Sequence, residues 1–426
     1  MVPDFCILGK TRKMVLDLKY LDLMERHNGK IVSEYSWCCV LCGAEESDLL
    51  RYRCAVCRGA LDAIYDLSVV GISDDADPLR RYAGLLPLRS AARWLGEGNT
   101  ECIHAERLGA RIGLEALFLK DETANPTRST KDRVASVVLA RFAEFGVKRL
   151  ALASTGNTST ACARAARLRG NVELRIFVGR GFVHRLNYSD HPTVRTHLVD
   201  SGFDSAGVAA KQFATASVDV HFEGGFFNPS RRDGLKLTYL EAFDQMPVAP
   251  RFVFQAISSG MGLLGAYKGA VEYWALGRLP RLPGFVAVRQ ASCAPTADAF
   301  ADGVEELGER HIVANPRGIA EAILRGNPTQ TYPYLNAICG STGGSILSVT
   351  DEEIYHAHRL LADTEGLRVC YASAATVAGV LAARRRGMIS ADQPVLVNLT
   401  GADRPLAPTP RELVVHGMGE PAESAR

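Results

Sequence analysis

The sequence predicts an α/β protein built on parallel, helix-covered sheets, preceded by a small metal-binding module. Three observations carry this expectation. Short continuous apolar runs alternate with helical patterns between residues 116 and 399, as strands buried on both faces do. Loops rich in serine, threonine and glycine stand between strand and helix at 154–158 and 258–262, where open α/β sheets take their ligands. Two CxxC knuckles come before all of this.

The chain has 426 residues, 47% of them hydrophobic. That is enough for two or three domains, because a single core seldom grows past ~250–300 residues. Forty-nine basic and 47 acidic residues leave a net charge of +2. No charge run is dense enough for a nucleic-acid arm, so polynucleotide partners are not indicated. No stretch reaches the roughly 18 apolar residues that a membrane span needs. The start, MVPDFCILGKTRKMVLDLKY, lacks the apolar run and flanks of a signal peptide. The expected compartment is the cytoplasm, with the 11 cysteines serving as thiols or metal ligands.

In chain order, 1–37 is an N-terminal extension. Within it, 12–26 carries Val15, Leu16, Leu18, Leu21 and Met24 at helical spacing, which predicts a short amphipathic helix on the main body. Segment 38–70 holds Cys39-x-x-Cys42 and, eleven residues on, Cys54-x-x-Cys57. Two such knuckles present four thiolates tetrahedrally to one Zn²⁺, and Gly43 and Gly59 suit the tight turns. Four cysteine ligands leave no open position, so the metal would be structural. The alternatives are a ribbon that has lost its metal and, less well supported, a redox pair. Cys38 is adjacent, but Cys39 gives the proper spacing. Residues 62–77 read as an acidic linker. Buried strands are expected at 116–120, 149–153, 172–178, 194–199, 218–222, 251–257, 285–288, 367–370 and 395–399. Helices are expected at 134–142, 159–168, 206–213, 235–243 and 263–274. The tail after Gly401 is proline-rich and then polar, with a mobile end expected.

The run 125–133 (NPTRSTKDR) delivers Lys131 to the first turn of a helix. The helix dipole disfavours a cation there, so the lysine is either an ordinary surface residue or is wanted at a cofactor or anion. The loop at 154–158 offers backbone N–H groups, hydroxyls and an amide at a helix start, an anion cradle if it is more than an N-cap. The loop at 258–262 reads as a phosphate nest; it lacks the GK[ST] ending of a P-loop. Two anion sites and one lysine suit a cofactor that carries its own phosphate and bonds covalently to Lys131.

Three segments together, 120–133 (KDETANPTRSTKDR), 154–158 (STGNT) and 399–401 (LTG), resemble threonine synthase and its relatives among the fold-type II pyridoxal-phosphate enzymes. The ribbon, the LPL around Leu86 and the LGEGNT at 95–100 resemble the ribbon-bearing threonine synthases. The resemblance implies a tryptophan-synthase-β-like fold of two three-layer α/β domains plus an N-terminal zinc ribbon. The large domain would take 71–153 and 250–405, the small domain 154–249, and the tail 406–426. It further implies pyridoxal phosphate on Lys131 and Asn157 at the cofactor's phenolic oxygen. Ser258, Ser259, Gly260, Met261 and Gly262 would hold its phosphate, and Thr400 would face its ring nitrogen. Ser154, Thr155 and Thr158 would take the substrate carboxylate. Ser373 either lines the cofactor pocket or caps the following helix. The implied activity is elimination and addition or replacement on a phosphorylated amino acid, with phosphate released, in a homodimer.

This chain departs from that pattern. Arg128 and Thr130 stand where threonine synthases normally have glycine and phenylalanine, and SSGMG replaces an asparagine-containing loop. Residues 254–257, Ser259-Gly260, Gly262, 223–225, Asn228, Arg231-Arg232 and Gly234 look closer to cysteate synthase. The alternative is therefore replacement of the phosphate of O-phosphoserine by sulfite. Arg128, with Ser129 beside it, is expected to bind a phosphate or sulfonate, unless it pairs outside the pocket. Arg231 and Arg232 would meet an anionic substrate arm or else lie on a solvated face. His184, His191, His197, His221 and Cys293 have no identifiable partners and read as packing or surface residues. A third reading is a ribbon-bearing scaffold without catalysis.

Overall fold

The computed structural model describes residues 18–29, 35–90, 92–200, 202–404 and 409–416. In the N-terminal module, the strand Tyr35–Cys39 pairs antiparallel with Leu61–Tyr65. The large sheet has six strands in the order Ser345–Val349, Gly284–Gln290, Phe252–Ala256, Val395–Leu399, Leu117–Asp121 and Cys102–His104. All its pairings are parallel except the antiparallel edge strand Cys102–His104. The small sheet is wholly parallel, in the order Leu413–His416, Val194–Val199, Glu173–Gly179, Arg149–Ala153 and Val220–Phe222.

Three inner strands of the large sheet, Gly284–Gln290, Phe252–Ala256 and Val395–Leu399, are buried at every position, so they show no alternation and need cover on both faces. Tyr371–Arg385 packs on Phe252–Ala256 and Val395–Leu399, and Tyr332–Ser341 packs on Gly284–Gln290. Between the two sheets, Lys131–Glu144 packs against both Asn157–Arg169 and Pro229–Gln245. Pro229–Gln245 also lies along Met261–Ala275 and is buried nearly all round. Two glycines make that approach possible. A Cβ on Gly234 would lie 2.7 Å from the Arg133 carbonyl oxygen, and one on Gly265 would lie 2.5 Å from that of Arg232.

A helix buried on all sides must pair its charges. Asp62, on the second ribbon strand, accepts from Tyr20 Oη (2.5 Å), Arg232 Nε (3.1 Å) and Lys268 Nζ (3.0 Å). Lys268 Nζ lies 2.7 Å from Asp233 Oδ1, and Lys236 Nζ lies 2.8 Å from Glu272 Oε2. This network ties the N-terminal helix Tyr20–His27, the ribbon and two core helices into one body.

Several expectations are corrected. Segment 367–370 is no strand; it leads into Tyr371–Arg385, with Cys370 N bonded to Gly401 O at 3.1 Å. Cys102–His104 and Ser345–Val349 are strands beyond those expected from the sequence. Residues 61–65 form a fully buried strand, so the supposed linker begins later than residue 62. Arg149–Ala153 belongs to the small sheet, so the expected domain boundary at 153 falls one strand late. Leu413–His416, placed in the tail, forms an edge of that same sheet. The first half of the expected N-terminal helix, with Val15 and Leu16, and the end of the tail lie outside the described residues. No described helix is long and apolar enough to cross a membrane.

Candidate active site

A cavity of roughly 1200 Å³ lies where the strand ends of both sheets meet. The small sheet contributes Ala153, Ser154 and Phe222–Gly225; the large sheet contributes Gln255–Gly262 and Thr400. Lys131 opens onto this space from the first position of its helix.

Most of the lysine segment is scaffolding for that one amine. Arg133 forks between two buried carboxylates, with Nε to Glu122 Oε2 at 2.7 Å and Nη1 to Glu241 Oε1 at 2.8 Å. Lys120 Nζ reaches Glu241 Oε2 at 3.0 Å, and Asn125 Nδ2 donates to Glu122 Oε2 at 2.9 Å. Asp132 accepts from the Thr127 backbone N–H at 2.6 Å and from the Thr127 hydroxyl at 2.9 Å. Thr130 N bonds Thr400 O at 3.0 Å, Ala402 N bonds Arg128 O at 2.9 Å, and Ser129 bridges to Gly401. Lys131 and Thr400 therefore sit on one stitched unit.

No carboxylate of the described residues forms an ion pair with the Lys131 ammonium. Burial, and then the Arg231 guanidinium, lower its pKa from 10.5 to about 8, with Glu122 opposing. Arg231 lines the cavity, but its charge is partnered, with Nε 2.9 Å from Glu223 Oε1.

Ser154, Thr155, Asn157 and Thr158 all reach the wall. The Ser154 hydroxyl also accepts from Gly156 N (3.1 Å) and Ser159 N (3.0 Å), so it braces the loop. Gly156 holds φ +126°, and a Cβ there would lie 2.8 Å from Arg185 O. Ser258, Ser259, Gly260, Met261 and Gly262 line the cavity at the start of Met261–Ala275. Arg289 Nη1 fastens this loop from behind, through Ile257 O at 2.9 Å and Ser258 O at 3.0 Å. Its guanidinium also bonds Cys293 O at 2.9 Å and Cys293 Sγ at 3.4 Å, which makes Cys293 a buried packing residue.

Other expected site residues stand elsewhere. Arg128 is exposed at φ +58° and is off the cavity wall. Ser129 is buried, accepts from Lys131 N at 3.4 Å, and does not reach the wall. Arg232 is committed to the Asp62 network, so it is neither a substrate arm nor solvated. Ser373 is fully buried behind Thr400, donating to Gly401 O at 2.7 Å and accepting from Gly401 N at 3.0 Å. His184, His191, His197 and His221 are absent from the wall; His197 stacks in the core with its Nδ1 2.8 Å from His416 Nε2. Glu223 and Gln255, noted in the sequence only as positions resembling cysteate synthase, are on the wall, and so are the ribbon residues Tyr52, Arg53 and Arg58, which sequence reasoning missed. The basic pair flanking the second knuckle was the available signal. Basic lining residues (Arg51, Arg53, Arg58, Lys131, Lys211, Arg231 and Arg325) outnumber the acidic ones (Asp204 and Glu223), so the cavity favours an anion.

In the ribbon, the sulfurs of Cys39, Cys42, Cys54 and Cys57 lie within 4.8 Å of one another. Cys38 points away to His27, 3.6 Å from its Nε2.

A lysine at a helix start, without a carboxylate partner among the described residues and lining one cleft with a glycine loop and an asparagine between two mainly parallel sheets, defines a class of enzyme. The chain belongs to the family of pyridoxal-phosphate-dependent enzymes, whose family model matches residues 93–401. Within that family it is threonine-synthase-like. It is 33% identical over 374 residues to the threonine synthase of Methanosarcina acetivorans, covering 85% of this chain and 90% of that one. It is 31% identical over 375 residues to the threonine synthase of Methanocaldococcus jannaschii, covering 85% and 91%. The fold is shared with maize serine racemase at a TM-score of 0.59 and 17% identity, over 72% of this chain and 89% of that one. These matches make the cysteate-synthase and scaffold alternatives unnecessary.

Proposed function

We propose that the enzyme acts on an amino acid whose side-chain hydroxyl is phosphorylated, releasing phosphate and adding water to give a hydroxyamino acid. The carrying observation is the Lys131 amine, without an ion-pair partner among the described residues, in a cavity with an excess of cationic wall, in a chain similar to proteins named threonine synthase. The wall fits pyridoxal phosphate: an amine for attachment, a glycine-bearing helix start for the phosphate, and the polar side chains of Asn157 and Thr400. Lys131 would hold the cofactor, Ser258–Gly262 its phosphate, Asn157 its phenolic oxygen and Thr400 its ring nitrogen. When bound, the cofactor supplies the electron sink for charge developing at the substrate's α-carbon.

The protein's own part is proton transfer and orientation. A pKa of about 8 leaves part of the Lys131 Nζ uncharged near neutral pH, so it can take the α-proton and later return one. Thr155 and Thr158, with the N–H groups at the start of Asn157–Arg169, would orient the substrate carboxylate. A hydroxyl at the ring nitrogen, in place of a carboxylate, favours elimination over aminotransfer.

The four cysteines would hold one structural Zn²⁺; four close sulfurs suit that ion and leave no open position. None of the ten described cysteines is in a disulfide, and the proposed location is the cytoplasm. The proposed assembly is a homodimer, which light scattering on the purified protein checks. The test of function is phosphate release and product mass with O-phosphohomoserine. Equimolar phosphate and threonine are expected. Release of no phosphate by the cofactor-loaded protein overturns the reading.

A further inference from the structure

We propose that the ribbon is a wall of the substrate site, and that its Arg53 selects for the anionic side-chain group of the substrate. This rests on the phosphorylated-substrate reading above. The ribbon is seated firmly enough to present such a residue. Ala60 N donates to Tyr334 Oη at 2.7 Å, and the Tyr52 ring closes over Gly224, where a Cβ would lie 2.5 Å from it.

Arg53 directly precedes the ligand-type Cys54 and lines the same cavity as Lys131. Its guanidinium lies 3.5 Å from the centre of the Phe227 ring, donates to Gln330 Oε1 at 2.5 Å, and touches Arg58 O at 3.3 Å. None of these partners is a carboxylate. Arg51, two residues earlier, is already neutralised by Glu46 at 2.9 Å and Asp48 at 3.8 Å. Arg58 adds a second charge from the other side of the knuckle, held at φ +64° just after Cys57. A guanidinium held over the Phe227 ring and by Gln330 and the Arg58 carbonyl is restrained in position, and its fork suits two-point contact with a phosphate. The cofactor's own phosphate is expected at the glycine loop, Ser258–Gly262, which leaves the ribbon arginines for the substrate.

The test compares cofactor-loaded wild type with Arg53→Ala and Arg53→Lys. Three quantities are measured: KM for the O-phosphorylated hydroxyamino acid, calorimetric affinity for inorganic phosphate, and affinity for L-threonine from the absorbance change of the bound cofactor. Arg53→Ala is expected to raise KM and weaken phosphate binding by about tenfold or more, the worth of a charged hydrogen bond. Its kcat should stay within about threefold, and its zinc content and threonine affinity should match the wild type. Arg53→Lys should recover part of the loss, since it keeps the charge without the fork. Unchanged phosphate affinity and KM in Arg53→Ala overturn the proposal. Equal losses for phosphate and threonine also overturn it, because they mark damage to the ribbon seat. A wild type that binds inorganic phosphate but releases none from any phosphorylated substrate overturns the functional reading instead, while the phosphate titration still judges Arg53.

Discussion

Replacing Lys131 by methionine is expected to stabilise the cofactor-free protein near neutral pH while abolishing turnover. The lysine has no ion-pair partner among the described residues, and burial followed by Arg231 brings its pKa from 10.5 to about 8. Keeping it charged in the fold then costs roughly 3 kcal/mol. Lys131 is only partly buried and opens onto the cavity, so about 2 kcal/mol is the working figure. The direction with pH follows from proton counts. Between about pH 8 and pH 10.5 the unfolded chain keeps a proton that the folded chain has lost, so the wild type gains stability as pH rises through that window. The advantage of Lys131→Met should therefore shrink from about pH 7 to about pH 9.5. Methionine and lysine have similar helix propensities, and any gain from the new apolar chain is independent of pH. Thermal unfolding of both cofactor-free proteins across this range reads the difference. A variant no more stable than the wild type at neutral pH, or one whose advantage stays constant with pH, refutes the reasoning.

Three further outcomes are expected. Burial disfavours the Asp62 carboxylate, yet Arg232 and Lys268 outweigh it and hold the pKa at about 2. Its contribution is present above the ordinary value of 3.8 and disappears as pH falls towards 2. Asp62→Asn should cost about 3–5 kcal/mol at neutral pH and flatten the acid limb of a stability-against-pH curve. Gly260→Ala places a Cβ 2.2 Å from Leu335 Cδ2 on a backbone at φ +82°. A loss of about 2–4 kcal/mol in stability and weaker cofactor binding are expected, read by thermal melts and cofactor titration. Cys42→Ser should remove stoichiometric zinc, measured by elemental analysis, and lower the melting temperature; wild type purified without zinc would contradict the ribbon assignment.

The legible parts of this chain were those whose signal is local. The Lys131 loop shows turn residues followed at once by a helical period, and the inner strands of the large sheet are apolar runs with nothing else to be. Errors arose where placement depends on distant partners. Segment 367–370 has the composition of a buried strand, but its backbone is engaged by Gly401 and it has no neighbouring strand. Cys102–His104 and Ser345–Val349 are short edge strands with half-exposed positions, and their patterns are too brief to separate from loop. Arg231 and Arg232 illustrate the limit well. Neighbours on a helix point about 100° apart, so one faces the cavity and the other the Asp62 network. A helix buried all round has no polar stripe from which its phase can be read. Arg128, singled out for its charge, occupies a left-handed position that turns the chain back towards Gly401. The ribbon's part in the cavity wall was hidden by the long stretch of sequence between Arg53 and Phe227.

The strand order also bears on how the protein is made. Val395–Leu399 lies in the middle of the large sheet, between Leu117–Asp121 and Phe252–Ala256. On the ribosome, the early strand must therefore wait for one synthesised long after it. Leu413–His416 finishes an edge of the small sheet later still. Until residue 399 emerges, Leu117–Asp121 and Phe252–Ala256 each expose an unpaired apolar edge, the kind of surface that invites aggregation or chaperone capture. Faster translation or shortage of a holdase should then lower soluble yield more sharply than the stability of the finished fold would suggest.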